Sequence, residues 1–322
     1  MTRTENDACG SRRHLHAYCA FGLTFRSEVV LPELAEVRLE SDTAYDVDIV
    51  LTSAGRSLPD LEDGLIFDLH QEGDHYMAWP DVAAFRIRGT TRIEVQPYPN
   101  APPAYLAFPL LGPVLGFLLH LRGQLVLHGS GIDVNGGAAL FVGDKMAGKS
   151  TTAAAFIKNG HSLLTDDLLA IDLSDRTAPK VLPAFSQLKL SDEASDAIAL
   201  PAAEKLPLVF EGFAKHQHRL TGSFSRQDVP VGHIYVLNRI PDAHAAPKLN
   251  PVRGVAALQA IARFAYVGRF GRAAFPEGAH APHLERCAIL ASKCKVWQLD
   301  VPANLARIDE VVSLVERDFK VS

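Results

Sequence analysis

Cysteine is scarce in this sequence, and a surplus of basic residues is missing. The four cysteines, Cys9, Cys19, Cys287 and Cys294, lack the spacing of metal ligands. Sparse cysteines of this kind predict reduced thiols in a cytoplasmic protein rather than a disulfide framework. The formal net charge of −5 argues against a general nucleic-acid binder, because phosphate neutralisation needs clustered excess Lys and Arg.

A secretory signal and a well-formed membrane span are also missing. The first residues, MTRTENDACGSRRHLH, contain no apolar run, and residues 1–13 are predicted to be a disordered tail. The segment APPAYLAFPLLGPVLGFLLHL at 101–121 has no charged residue, but it contains four prolines and two glycines. Such breakers need neighbouring spans for support, so the segment predicts a buried core helix and no membrane partner.

Two kinds of sequence pattern divide the chain. The apolar share of 48% and the length of 322 residues are those of a soluble protein with room for two domains. From 14 to 100, short β-rich runs alternate with turns such as Pro80-Asp81 and Gly89-Thr90, which predicts a small, mostly antiparallel N-terminal domain. Residues 101–322 are predicted to form an α/β catalytic domain.

The stretch VGDKMAGKSTTAAAFIKNGHSLLTDD, residues 142–167, places a glycine-framed loop one helix before two aspartates. The dipeptide Asn135-Gly136 predicts a type I′ hairpin before it, because that turn needs positive φ at both central residues. The alanine-rich run from Ser150 to Asn159 predicts a helix that ends just before Gly160. Upstream strands are predicted around 124–127, 130–135 and 138–142.

The residues GDKMAGKS, from Gly143 to Ser150, fit the phosphate-binding pattern G-x-x-x-x-G-K-[ST] between an apolar strand and a helix. The glycines let consecutive backbone N–H groups approach phosphate oxygens, and the helix N-terminus adds a favourable dipole. Lys149 would supply positive charge to the β- and γ-phosphates of ATP, and the Ser150 hydroxyl would bind Mg²⁺. A chance match in a Gly-Lys turn is the alternative. The predicted nucleotide-binding residues are Gly143, Asp144, Lys145, Met146, Ala147, Gly148, Lys149, Ser150 and Thr151.

Two adjacent carboxylates, Asp166 and Asp167, follow the loop. They end a strand predicted from HSLLTDD, and LLAIDLS is predicted as a separate strand. In a parallel sheet the carboxyl ends of strands gather around the ligand crevice, where one carboxylate can hold Mg²⁺ and the other accept a proton. The alternative is a solvated Asp-Asp turn. His128 closes the strand LVL and by itself is more typical of a structural or surface histidine than of a catalytic one.

These motifs together resemble the catalytic domain of bacterial HPr kinase/phosphorylase, whose pattern is HG-x-x-x-D, GDSGxGKS, RGH and ADD. The resemblance implies a P-loop kinase core of the HPr kinase and phosphoenolpyruvate carboxykinase type, with ATP and Mg²⁺ as cofactors. It implies Asp166 as the base for a serine hydroxyl and Asp167 as a metal ligand beside Ser150. It also implies Lys149 and His128 as active-site residues at the phosphates. The matching residues are His128, Gly129, Asp133, Gly143, Asp144, Gly148, Lys149, Ser150, Gly160, His161, Asp166 and Asp167.

The sequence departs from that family in the loop and downstream of it. Lys145 and Met146 stand where the family has Ser-Gly, and Thr151 stands where it has Glu. Nothing resembles the family signature RGxGIINV, which serves HPr recognition and the reverse phosphorolysis. A narrower resemblance, carried by YCAFGLTFRSEVVLPEL, the P-loop core and FSQLKLSDEA, is to the HPr-kinase-like proteins of lasso-peptide biosynthesis. It implies phosphorylation of a serine at the tail of a precursor peptide.

The sequence as a whole predicts a cytoplasmic ATP-dependent serine kinase that acts on a peptide or small protein, with a lasso precursor as first choice and a homo-oligomer left open. An HPr-type protein kinase of carbohydrate regulation is the alternative enzyme. A nucleotide-gated binding module is the alternative from another class, although paired aspartates favour chemistry. The polar run KHQHRLTGSFSR, from Lys215 to Arg226, predicts a mobile loop that either covers the γ-phosphate or is simply solvated.

Overall fold

The computed structural model describes residues 14–38, 44–53, 57–60, 62, 64–69, 73–206, 215–275, 278 and 280–320. The predicted tail at 1–13 lies outside these residues. Strands and helices are both abundant in the described part, which confirms the α/β class. One hydrophobic cluster includes residues on both sides of residue 100, and the division into two domains stays a prediction.

Seven strands form the first sheet, here called the N-terminal sheet. Strand β3 (Val47–Leu51) lies between β2 (Leu23–Ser27) and β7 (Arg92–Pro97) and pairs in parallel with both. The other four pairings of the sheet are antiparallel. Asp81 and Gly89 adopt left-handed φ values of 64° and 56° in the two hairpin turns predicted from the sequence. The order across the sheet is β1 (His16–Ala20), β2 (Leu23–Ser27), β3 (Val47–Leu51), β7 (Arg92–Pro97), β6 (Ala83–Arg88), β5 (Asp74–Trp79) and β4 (Ile66–Leu69).

An irregular apolar helix over Pro103–Leu121 joins this sheet to the rest of the protein. It is the only helix among the described residues that is long and apolar enough to cross a membrane, and 61% of its apolar window is buried inside the protein. It therefore packs as the core helix that the sequence predicts. Gly112 and Pro113 break its regularity. Its parts are a 3₁₀ turn (Pro103–Tyr105), α1 (Ala107–Pro109), a π-helical turn (Leu110–Val114) and α2 (Leu115–Leu121).

A second seven-stranded sheet, the P-loop sheet, carries the nucleotide-binding motif. The loop follows β9 (Gly137–Val142) and leads into α3 (Lys149–Lys158), as predicted. Gly160 has a φ of 92° just past the helix end. Asn135 and Gly136 have φ values of 55° and 87°, which confirms the predicted hairpin. The strand order is β11 (Lys180–Leu182), β10 (Ser162–Asp172), β8 (Leu125–Val134), β9 (Gly137–Val142), β15 (Val229–Ile240), β17 (Lys295–Pro302) and β16 (Lys248–Val252).

The P-loop sheet corrects two predictions about its strands. The residues predicted as separate strands around 124–127 and 130–135 form the single strand β8, and HSLLTDD and LLAIDLS form the single strand β10. Glycine at 129 permits close packing inside β8. A Cβ at Gly129 would lie 2.5 Å from the carbonyl oxygen of Phe141.

The position of the aspartates in the sheet is a further correction. Asp166 and Asp167 do not end a parallel strand. They lie in the middle of β10, which is antiparallel to β8, with Asp166 opposite Ser130 and Asp167 opposite Gly129. The carboxylates therefore reach the P-loop across the face of the sheet, not from a gathered row of strand ends.

A small third sheet covers the same region. The prediction of a mobile loop at Lys215–Arg226 was wrong in part, because His216–Leu220 forms the central strand β14 between β12 and β13. Gln217 and His218 on this strand are buried. Its other strands are β12 (Gln187–Leu190) and β13 (Ala203–Lys205), and the remaining helices are α4 (Asp192–Ile198), α5 (Val255–Arg263), a 3₁₀ helix (Tyr266–Ala274), α6 (His280–Lys293), a 3₁₀ turn (Leu305–Arg307) and α7 (Ile308–Lys320).

Candidate active site

The predicted nucleotide-binding residues form a compact loop between β9 and α3. Gly148 has a left-handed φ of 99° and immediately precedes the helix. Gly143 is restricted by space, since a Cβ there would lie 3.1 Å from the Ala147 Cβ and 3.2 Å from the Leu237 carbonyl oxygen. The Lys149 ammonium turns back over the loop and donates to the carbonyl oxygens of Gly143 and Asp144, at 2.9 and 3.1 Å.

The residues that depart from the family loop lie on its outer side. Met146 has a left-handed φ of 67° and is 78% exposed. A non-glycine residue in this conformation costs about 1–2 kcal/mol relative to right-handed backbone. This explains physically why glycine suits the position in the family pattern. Asp144 and Lys145 are also exposed, and Asp144 forms a surface ion pair with Arg263 at 2.8 Å.

Asp166 is the point where the loop and the sheet meet. Its carboxylate accepts hydrogen bonds from the hydroxyls of Ser130 at 2.6 Å and Ser150 at 3.0 Å, and from the backbone N–H of Lys189 at 3.1 Å. Asp166 itself is 6% exposed. Burial raises the pKa of Asp166 above its ordinary value, and the neighbouring Asp167 carboxylate adds to that increase.

Asp167 faces the same region because its backbone is irregular. Successive side chains of a regular strand point to opposite faces of a sheet. Asp167 has a left-handed φ of 74°, which an aspartate tolerates better than most residues, and the register of β10 against β8 shifts earlier in the strand, between Leu163 and Thr165. Both carboxylates consequently line one cavity.

Lys189 on β12 neutralises part of this negative charge. Its ammonium donates to the Asp167 carboxylate at 2.7 Å, with side-chain exposures of 25% and 41%. Burial alone would raise the pKa of Asp167, but the Lys189 ammonium and its hydrogen bond lower that pKa well below the usual range. The two aspartates thus have opposite pKa shifts, which is a pattern frequent in acid–base sites.

His128 lies beside the aspartates, on β8. Its Nδ1 is 3.3 Å from the backbone carbonyl oxygen of Asp167, a contact that favours the tautomer with a proton on Nδ1. Burial lowers the pKa of His128, and the positive charges of Lys149 and Arg269 lower it further, against the opposing effect of Asp167. The imidazole is therefore neutral at pH 7 and leaves Nε2 as an acceptor.

A cavity of about 390 Å³ adjoins the aspartates on the side away from the P-loop sequence. Its walls come from the N-terminal sheet, the kinked helix and the P-loop sheet, and they are mostly apolar. His128, Asp166, Asp167, Lys189 and Arg269 form its polar side. An apolar, concave cavity with a few charged side chains on one side is typical of a small-molecule or peptide site.

Sequence reasoning missed several residues of this site. Lys189, Ser130 and Gln187 were not singled out, and neither was Glu33 from the N-terminal part of the chain. The strand alternation of QLKL places Gln187 and Lys189 on one face, so that signal was available. The segment RFAYVGRFGR, residues 263–272, contributes Arg269 to the cavity lining, and the Arg269 guanidinium lies 4.2 Å from the centre of the Tyr266 ring. Tyr266 and Phe270 of the same segment are buried.

Comparison with known proteins identifies relatives over part of the chain, and no family model matches it. Over 74 residues it is 34% identical to the HPr kinase/phosphorylase of Caldanaerobacter subterraneus subsp. tengcongensis, a match that covers 21% of this chain and 24% of that protein. Over 59 residues it is 46% identical to the HPr kinase/phosphorylase of Clostridium botulinum (strain Eklund 17B / Type B), which covers 17% and 19%.

A solved structure gives a wider but weaker match. The HPr(Ser) kinase/phosphatase from Coxiella burnetii aligns with 61% of this chain and 97% of its own, at 10% identity and a TM-score of 0.28. The chain thus spans about a quarter or less of the length of the two curated relatives above. Those curated relatives confirm the resemblance to HPr kinase/phosphorylase over the residues that they match.

Proposed function

We propose that this HPr-kinase-like chain is an ATP-dependent serine kinase that transfers the γ-phosphoryl group of ATP to a serine hydroxyl of a peptide. One observation carries the proposal. Asp166 accepts a hydrogen bond from Ser150 of the P-loop and also lines the apolar cavity. The phosphate-binding loop and the space for an acceptor therefore meet at one carboxylate.

The nucleotide would be held by the loop residues 143–151. Their backbone N–H groups and the α3 N-terminus favour the phosphates, and Lys149 can exchange its two loop carbonyls for phosphate oxygens. A shallow recess beside Gly148 and Thr151 is where we place the nucleoside. Arg239, Asn304 and Leu305 are among the residues that line it.

The donor set fits a Mg²⁺ ion. Mg²⁺ prefers hard oxygen ligands, and Ser150 and Asp166 already present a hydroxyl and a carboxylate within 3.0 Å of each other. Asp167 lies next to them with a low pKa, and so remains ionised. When bound, the ion would neutralise charge on the phosphates.

The roles of the two aspartates can be divided in two ways. The resemblance assigns proton transfer to Asp166 and metal binding to Asp167, and the raised pKa of Asp166 suits a base. The hydrogen bond from Ser150 supports the reverse division, with Asp166 beside the metal. A bound cation inverts the local pKa pattern, so we give the hydrogen bond more weight. In this division Asp167, oriented by Lys189, takes the proton from the acceptor hydroxyl.

The shape of the cavity supports a peptide as the acceptor. Its apolar walls enclose a volume that a side chain or a peptide tail can enter, whereas a folded surface would have to insert a protruding loop. The narrower resemblance points the same way, towards the C-terminal serine of a lasso precursor peptide. The missing RGxGIINV signature also argues against HPr.

Mass spectrometry tests this proposal directly. The protein is incubated with ATP, Mg²⁺ and one of three acceptors: a linear peptide that ends in serine, the same peptide ending in alanine, or HPr. We expect only the serine peptide to gain ~80 Da, the mass of one transferred phosphoryl group. Labelling of HPr alone would contradict the peptide acceptor and favour an HPr-type protein kinase of carbohydrate regulation. Labelling of no acceptor, with ATP binding intact, would favour a nucleotide-gated binding module.

A further inference from the structure

The cavity beside the aspartates contains two buried polar atoms whose hydrogen-bonding capacity is unused. Glu33 is 9% exposed and Gln187 is 3% exposed, and both line the cavity. Glu33 Oε2 and Gln187 Nε2 have no hydrogen-bond partner among the residues that the structure describes. A buried polar atom without a partner is unfavourable, so a bound group that pairs with these two atoms is favoured.

These two atoms offer complementary chemistry. Glu33 Oε2 is an acceptor and Gln187 Nε2 is a donor. One residue of an extended peptide presents the matching N–H and C=O groups. Gln217 donates to the other Glu33 oxygen at 3.3 Å and so helps to fix the carboxyl group in the cavity wall.

An aromatic groove lies next to this cavity, against the N-terminal sheet. The groove has a volume of about 690 Å³ and shares Trp79 and Phe108 with the cavity as common walls. Its other walls include Tyr98, Tyr105 and several prolines. Surfaces of this kind bind extended peptides, because flat rings and prolines pack against a backbone that has no internal hydrogen bonds.

The rim of the cavity exposes a large apolar side chain. Leu65 is 59% exposed and lines the cavity together with Phe67 and Trp79, which contact each other edge to face at 5.6 Å. Leu65 thus offers apolar area that a bound side chain would cover. Removal of this apolar area from water favours binding.

We propose that the cavity and the groove form one acceptor-binding track for an extended peptide segment with an apolar residue next to its serine. The backbone beside the serine pairs with Glu33 and Gln187, the apolar side chain packs on Leu65 and Trp79, and the segment that precedes them lies in the groove. The N-terminal sheet is then the specificity element of the enzyme. This inference rests on the proposed kinase function for its orientation, but its binding test does not require catalysis.

The test uses a degenerate library of short acetylated peptides, each with one fixed serine. The library is passed over the immobilised full chain without ATP, and the retained peptides are sequenced. We expect the parent to enrich peptides with an apolar residue beside the serine. Leu65→Asp should reduce their yield about tenfold, in line with the loss of one buried leucine contact. Glu33→Gln should also reduce it, since an amide is a weaker acceptor for the peptide N–H.

Leu284→Asp is the matched control, because Leu284 is 48% exposed on α6 and does not line the cavity or the groove. It should select the same peptides as the parent, and all three variants should bind ATP like the parent. Retention of the same peptides at the same yield by Leu65→Asp, or no enrichment by the parent, would overturn the track.

The retained peptides are then incubated with ATP and Mg²⁺, which separates this inference from the proposed function. Selection that depends on Leu65 without any phosphoryl transfer would support the track and contradict the kinase. Transfer to peptides whose selection ignores Leu65 and Glu33 would support the kinase and contradict the track.

Discussion

The hydroxyl of Ser150 donates a hydrogen bond to the carboxylate of Asp166, 3.0 Å away. This contact joins the first turn of α3 to the middle of β10, and it places the P-loop serine and a cavity-lining carboxylate at a common point. The two residues are 16 positions apart in sequence. The P-loop and the first of the two aspartates that follow it are therefore in direct contact in the folded protein.

Amide substitutions can distinguish the roles of the two aspartates. Asp166→Asn and Asp167→Asn keep the side-chain size but remove the ability to take a proton or to bind metal with a charge. We expect both to reduce transfer, by ~10²–10⁴-fold for the residue that acts as base. Calorimetry of ATP binding at several Mg²⁺ concentrations should show a weakened Mg²⁺ dependence for Asp166→Asn only. A weakened dependence for Asp167→Asn alone would restore the roles that the resemblance implies.

Lys149 is expected to provide most of the side-chain affinity for the nucleotide. A hydrogen bond to a charged group contributes about 1.5–3 kcal/mol, so Lys149→Ala should weaken ATP binding by one to two orders of magnitude. Lys158→Ala is the matched control, because Lys158 lies at the other end of α3, where it pairs with Asp309 at 3.3 Å. Calorimetry with equal ATP affinity in Lys149→Ala and the parent would contradict the P-loop assignment.

The parts of the molecule that were predicted correctly depend on local sequence. The loop, α3 and the Asn135-Gly136 hairpin are specified within a few residues by glycine, proline and helix-forming side chains. These elements form without contacts from residues far away in the sequence, so the local sequence pattern was sufficient to predict them. The buried helix at 101–121 was predictable for the same reason, from apolar residues interrupted by proline.

The parts that were missed depend on distant contacts. Glu33 reaches the cavity by pairing with Gln217, which lies 184 positions further along the chain. Lys189 is one lysine among many until β12 places it 2.7 Å from Asp167. The left-handed backbone of Asp167 could not be predicted either, because nothing in an Asp-Asp dipeptide indicates a break in strand alternation. Only the folded arrangement brings these features together.

Removal of Lys189 should change the pH dependence of the reaction. Lys189→Met leaves burial as the main influence on Asp167, so the pKa of Asp167 rises and the acid limb of the pH–rate profile moves to higher pH. Because the pair is partly exposed, the loss of stability should be modest, about 1 kcal/mol or less.

Lys205→Met is the control for Lys189→Met, because Lys205 pairs with Asp192 on the surface at 2.8 Å. It should leave the profile unchanged. An acid limb at the same pH in Lys189→Met and the parent would show that Asp167 does not limit the reaction.

Gly129 is expected to be irreplaceable for reasons of space. In Gly129→Ala the new Cβ would lie 2.5 Å from both the Phe141 carbonyl oxygen and the Leu169 Cδ1, and a backbone atom cannot move away cheaply. Overpacking of this kind costs about 1–3 kcal/mol in the free energy of unfolding. Gly222→Ala, with no atom within 4 Å of its Cβ, should stay within about 0.5 kcal/mol. Equal denaturant midpoints for the two variants would contradict the packing of β8 against β9.

Buried histidines should make the protein less stable at mildly acid pH. Burial lowers the pKa of His120 from 6.5 to about 4, and the charges of Arg286 and His283 contribute. Between these two values the unfolded chain binds a proton that the folded protein does not, so stability is complete above pH 6.5 and falls as the pH decreases towards 4. The full effect of His120 is on the order of 3 kcal/mol.

Urea unfolding at a series of pH values measures this dependence. His120→Phe cannot bind the proton, so its free energy of unfolding should vary less between pH 6.5 and 4 than that of the parent. His244→Phe is the comparison, because His244 is exposed in a surface turn and its backbone N–H donates to the Asp242 carboxylate. It should keep the parental slope. A slope in His120→Phe as steep as in the parent would mean that other groups, such as His128 or His233, carry the acid sensitivity, since burial lowers the pKa of both.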